Sequence, residues 1–160
     1  VTTTVDAPAP KAKRRPTVRG GWPPRWLTPV PAADLRRGDG DLYEQLIGAT
    51  CRITKDSIAG PAGQLMAVRP WQRQVLRHVY ARNAAGRFRH RTALIGIGRK
   101  NGKSGLGSGM AIGGMLLGPG GGEVYSCAAT RDQAGIVFES AKRMVETDEH
   151  LSKAIKVYRN

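Results

Sequence analysis

The chain has 160 residues, 40% hydrophobic and 6% aromatic, with 21 glycines, 10 prolines and a formal net charge of +14 at pH 7. That is one domain's length, with enough apolar content for a real core but not for two, and the positive balance points to a polyanionic partner without choosing which. Cys51 and Cys127, with no C-x-x-C or histidine companion, exclude a disulfide scaffold and a zinc module, as a reduced cytoplasmic setting would have it.

Residues 1–31 hold seven of the 10 prolines and the basic cluster Lys11, Lys13, Arg14, Arg15 and Arg19. They read as a disordered arm before a domain over 32–160. The cluster suits DNA or a solvated tail equally, and Trp22 and Trp26 are placed to dock the arm. No signal peptide is expected, because the basic stretch runs into Gly21-Trp-Pro-Pro24 rather than an apolar segment. From Asp39 to Thr50, Leu42, Leu46 and Ile47 beside Tyr43 make a helical stripe with Asp39 and Asp41 at its N-terminus. Arg52 to Met66, around Gly60-Pro61, reads as loop, with a short strand over Gln64 to Val68.

Arg69 to Asn83 predicts an amphipathic helix that opens at Pro70 and carries Trp71, Val75, Leu76 and Val79 on one face, Trp71 as a core anchor. After a turn at Gly86, Arg87, Arg89 and Arg91 alternate with Phe88 and His90. Alternation puts the arginines on one face of an extended segment, available to DNA phosphates or to acidic residues beyond this chain; His90 reads as structural.

Thr92 to Ile97 is an apolar, strand-like run that feeds a Gly-rich loop ending in Gly102-Lys103-Ser104. In such a loop backbone N–H groups curl around an anion, Gly102 permits close approach, Lys103 reaches the β and γ phosphates, and Ser104 offers its hydroxyl to Mg²⁺. The spacing departs from G-x-x-x-x-G-K-[ST], since Ile97 stands where the first glycine belongs, flanked by Gly96 and Gly98. A dinucleotide pattern G-x-G-x-x-G fails at Asn101. The alternatives are an ordinary basic strand-to-helix turn or another anion site.

Ser104 to Leu117 predicts the helix that follows, with Gly105, Gly109 and Gly113 on one face for tight packing against a sheet. It is too short and too rich in glycine for a membrane span, and Gly118-Pro119-Gly-Gly-Gly122 ends it. Glu123 to Ala128 reads as a strand, Arg131 to Glu146 as a helix capped by Thr130, and Ile155 and Val157 as the start of another strand. The succession predicts an α/β fold: a fragment of the open, mostly parallel sheet with flanking helices of P-loop NTPase type, its ligand site at the carboxyl ends of the strands near the loop and Thr130-Arg131.

Three segments carry a family resemblance. Arg99-Lys-Asn-Gly-Lys-Ser104 resembles the deviant Walker A loop of phage terminase large subunits, the ATP-driven motors that package DNA into capsids. Val68-Arg-Pro-Trp-Gln72 resembles that family's upstream adenine-side motif, and Ser126-Cys-Ala-Ala-Thr-Arg-Asp-Gln-Ala-Gly135 the strand-to-helix segment beyond the Walker A helix, all in family order. The resemblance implies ATP held by Gln72, Gly98, Arg99, Lys100, Asn101, Gly102, Lys103 and Ser104, with Lys103 and Arg99 catalytic and Mg²⁺ at Ser104. It implies that Gln72 reads the adenine edge, since a side-chain amide donates and accepts at once.

The implied partners are double-stranded DNA, a small terminase subunit, the portal and further copies of the chain, with no membrane, in the host cytoplasm. No four apolar residues precede an Asp-Glu pair; Asp148 and Glu149 follow a helix end and imitate a Walker B segment poorly. The expectation is therefore the N-terminal portion of an ATPase domain, incomplete and inactive alone. Competing readings are a non-hydrolysing nucleotide- or nucleic-acid-binding module and a fragment of a helicase-like ATPase.

Overall fold

The computed structural model describes residues 27–57, 60–98 and 100–158. Its elements are α1 (Ala32–Arg37), α2 (Gly40–Thr50), α3 (Pro70–Val79), α4 (Lys103–Leu117), α5 (Arg131–Thr147) and α6 (Glu149–Ala154). Most of the proline-rich arm, with its basic cluster, Trp22 and Trp26, lies outside the described residues, as does Arg99.

The open parallel α/β sheet expected from the sequence is overturned. Among the described residues there is no β-strand, only the isolated antiparallel bridges Arg52↔Leu65, Ser57↔Gly60 and Arg82↔Phe88. Apart from Leu65 in its bridge, the segments read as strands (64–68, 92–97, 123–128 and 155–157) are irregular. Apolar, β-branched composition describes a surface that suits a pleat; it does not supply the neighbouring backbone that a ladder requires. Leu94 is 98% exposed and Tyr125 77% exposed, so these runs face solvent instead of a partner strand. Helices close their hydrogen bonds internally and form where the strands do not.

The result is a helical assembly in which α2 packs on α3 and α4, α4 on α5, and α5 on α6. Ile47, Leu76, Ile112, Met144 and Leu151 are its fully buried large side chains. No helix among the described residues is long and apolar enough to cross a membrane.

Helix starts follow local chemistry. Pro70 occupies the first turn of α3, where its missing N–H costs nothing. Thr130 Oγ1 accepts from Gln133 N at 3.3 Å to cap α5. Asp148, read in the sequence as a weak imitation of a catalytic acid, is buried and caps α6 by accepting from His150 N at 3.0 Å and Leu151 N at 3.1 Å.

The glycine face of α4 is tight, but its partner is α2 rather than a sheet. A Cβ on Gly109 would stand 2.9 Å from Ile47 Cγ1, and one on Gly113 2.5 Å from Tyr43 Cε1. Tyr43 in turn stacks on Tyr80 with ring centroids 3.6 Å apart. Ser108 Oγ lies 2.8 Å from Ser104 O and 3.0 Å from Val137 O, a polar tie between α4 and α5 inside the core.

Candidate phosphate-binding loop

Two residues in the left-handed backbone region shape the loop before α4: Lys100 at φ 61° and Gly102 at φ 76°. For lysine that conformation costs roughly 1–2 kcal/mol, so the surrounding structure must hold it. Gly102 is the N-cap of α4 and has no side chain to cap with. Regular bonding begins when Leu106 N donates to Gly102 O at 3.0 Å, and the N–H groups before it have no intrahelical partner. Gly102, Lys103 and Ser104 are all exposed at this turn.

Lys103 folds back over this turn, its Nζ donating to Ile97 O and Gly98 O at 2.8 Å each. Asn101 Nδ2 lies 3.4 Å from the same Gly98 carbonyl. One ammonium thus gathers the two ends of the loop while staying exposed.

Gln72, 30 residues upstream in sequence, is brought to the same place. It is buried on the first turn of α3, and its Oε1 accepts from Arg69 N at 2.9 Å. Its Nε2 is 3.6 Å from where a Cβ on Gly102 would lie, ordinary contact distance, so Gln72 lies close against the loop, and a side chain at 102 would be strained by the left-handed backbone. Met66 Sδ stands 3.4 Å from the equivalent point on Gly105. Trp71 is half-buried against the core, as its apolar stripe predicts. Arg131 is exposed in the first turn of α5.

Arg89, read as free for an outside acid, meets one within the chain: its Nη1 is 3.1 Å from Asp34 Oδ2. An ion-pair ladder that no sequence motif marks joins α2 and α3. Arg73 binds Glu44, Arg77 binds Asp41, and Arg82, just beyond α3, binds Asp39. Acids at 41 and 44 and arginines at 73 and 77 share helical spacing, but spacing within each helix does not announce the pairing between them.

A cleft of about 470 Å³, lined by Glu44, Gln45, Gly48, the 65–68 segment and Arg73, lies between α2 and the start of α3. The loop does not line it, and an exposed anion turn needs no deep cavity. Among the described residues no group of three or more His, Cys, Asp or Glu side chains could hold a metal ion.

The family model for "Terminase large subunit, ATPase domain" matches residues 70–159, from the first turn of α3 across the loop and past α6. The chain belongs to this terminase family. The terminase large subunit of Enterobacteria phage HK97 is 36% identical over 98 residues, which are 59% of this chain and 18% of that protein. The crystal structure of the HK97 large terminase matches with a TM-score of 0.57 at 28% identity, over 77% of this chain and 24% of that one. The chain thus spans less than a quarter of the length of these terminases. Gln72, Gly98, Lys100, Asn101, Gly102, Lys103 and Ser104 all fall inside the terminase match.

Proposed function

We propose that the turn from Gly98 to Ser104, with Gln72 beside it, holds the triphosphate and base edge of ATP as the nucleotide-binding part of a DNA-packaging motor. The observation that carries this reading is the uncapped start of α4 at left-handed Gly102, over which Lys103 closes. Helix N–H groups and an ammonium on one exposed turn are what a polyphosphate requires. Lys103 Nζ has three protons and commits two to the loop carbonyls, which leaves one to reach a phosphate oxygen without dismantling the turn.

Ser104 is exposed and offers a hydroxyl. Mg²⁺ takes few protein ligands and keeps waters and phosphate oxygens, so one hydroxyl fits its habits. When bound, the ion neutralises phosphate charge. Gln72 Oε1 accepts from Arg69 N with one of its two lone pairs, which leaves the other lone pair and Nε2 to meet a base edge, and supplies direction rather than charge. Arg99 and Lys103 are the groups assigned to charge stabilisation during hydrolysis, and turnover itself is assigned to the longer large subunit. Double-stranded DNA, the small subunit, the portal and sister copies are the partners in that setting.

The test is Lys103→Ala. Calorimetric titration with Mg·ATP should show affinity lower by about tenfold or more, with unchanged circular dichroism because no core volume is lost. In the full-length protein steady-state phosphate release should disappear. Unaltered affinity would make Lys103 a loop clip and withdraw the assignment.

A further inference from the structure

Gln72 rides on α3 and Gly102 leads into α4, and α2 packs on both helices. On one side α2 seats Tyr43 and Ile47 in the glycine notch of α4. On the other side its Glu44 receives Arg73, the residue next to Gln72. Arg73 Nε is 2.7 Å from both Glu44 oxygens and Nη2 is 2.6 Å from Oε1, a grip at more than one point on the helical turn that bears Gln72. The Glu44 side chain is 19% exposed and that of Arg73 50%, so the pair sits at the rim of the contact between α2 and α3.

Surface ion pairs add little to stability, but a forked arginine–carboxylate contact fixes an angle. With side chains about 5–6 Å from a helix axis, a roll of about 10° moves them about 1 Å. That distance separates a hydrogen bond from none. We infer that Glu44, acting through Arg73, is a positioning residue that sets Gln72 against the phosphate loop and so governs the base preference of the site. The inference rests on the loop being a nucleotide site. Asp41 with Arg77, one turn further along, braces the same helix face farther from Gln72.

The experiment compares the parent chain with Glu44→Gln, Arg73→Gln and the exchanged pair Glu44→Arg/Arg73→Glu. Competition against a fluorescent ATP analogue reads affinity for ATP, GTP and inorganic tripolyphosphate, and hydrogen exchange reads the Arg69 amide that Gln72 Oε1 accepts from. Each single variant should lower the ATP-to-GTP affinity ratio by about fivefold while tripolyphosphate affinity stays within about twofold. Arg69 should exchange faster in both single variants, and the exchanged pair should restore the ratio and the protection. A parent with adenine preference that neither variant disturbs would overturn the positioning role and leave the loop assignment standing. Ratio and tripolyphosphate affinity falling together, with no recovery in the exchanged pair, would also overturn it, as general loosening. A parent that binds neither nucleotide nor tripolyphosphate would bring down the loop assignment and this inference with it.

Discussion

Cys51 has no exposed surface, and burial pushes its thiol up to about 11 from the ordinary 9.0. Nearby Asp148 adds to the rise, while the Thr50 hydroxyl, 3.9 Å from the sulfur, opposes it. A raised value means that the folded chain resists ionisation; the stability this represents is complete below about 9 and is lost as pH climbs toward about 11. The thiol should therefore account for about 1 kcal/mol of lost stability between pH 8 and pH 10. Urea unfolding of the parent and of Cys51→Ala at both pH values checks this, since Tyr43 and Tyr80, also raised by burial, are common to both proteins. Equal losses would refute it. At this scale the sequence singles out Gly102, Lys103, Ser104 and Gln72 as candidates because their chemistry is local and nearly independent of what surrounds them, and the fold brings Gln72 close to Gly102. Glu44 was not legible, because its meaning depends on an arginine in another helix.

Helix α4 offers two glycines with opposite prospects. A Cβ on Gly107 would meet Val137 at 3.9–4.0 Å, ordinary contact, whereas one on Gly113 would drive into the Tyr43 ring. Gly107→Ala should stabilise by up to about 1 kcal/mol through helix propensity. Gly113→Ala should destabilise by about 1–3 kcal/mol through overpacking. Thermal unfolding of the two variants should move in opposite directions, and a common sign would contradict the packing. The α2, α3, α4 and α5 helices could be read from periodicity and caps, because each satisfies its own backbone. The strands expected over 92–97 and 123–128 do not form, because a strand is a property of two segments and the apolar pattern describes one. The α6 helix was legible in principle: Asp148 followed by Glu149 is an ordinary helix opening, masked by being weighed as catalytic acids.

Over the whole molecule, the excess charge is unevenly spent. Arg37, Arg73, Arg77, Arg82 and Arg89 are paired with carboxylates, while residues 1–26 carry six basic residues and one acid. Duplex DNA binding should fall steeply between about 50 and 200 mM salt, barely distinguish sequences, and show a shallower salt slope once residues 1–26 are removed. Filter binding across a salt series would decide it; a slope unchanged by the deletion would move the contacts to the helical body. The Tyr43 ring seated over Gly113 carries a consequence for descent. Neither position can vary alone while α2 and α4 keep this separation: a methyl at 113 demands a smaller side chain at 43, and that loosens the stack on Tyr80. Among relatives with the same helix crossing the two positions should change as one inherited unit, and a lineage pairing alanine with tyrosine there would have to hold its helices further apart.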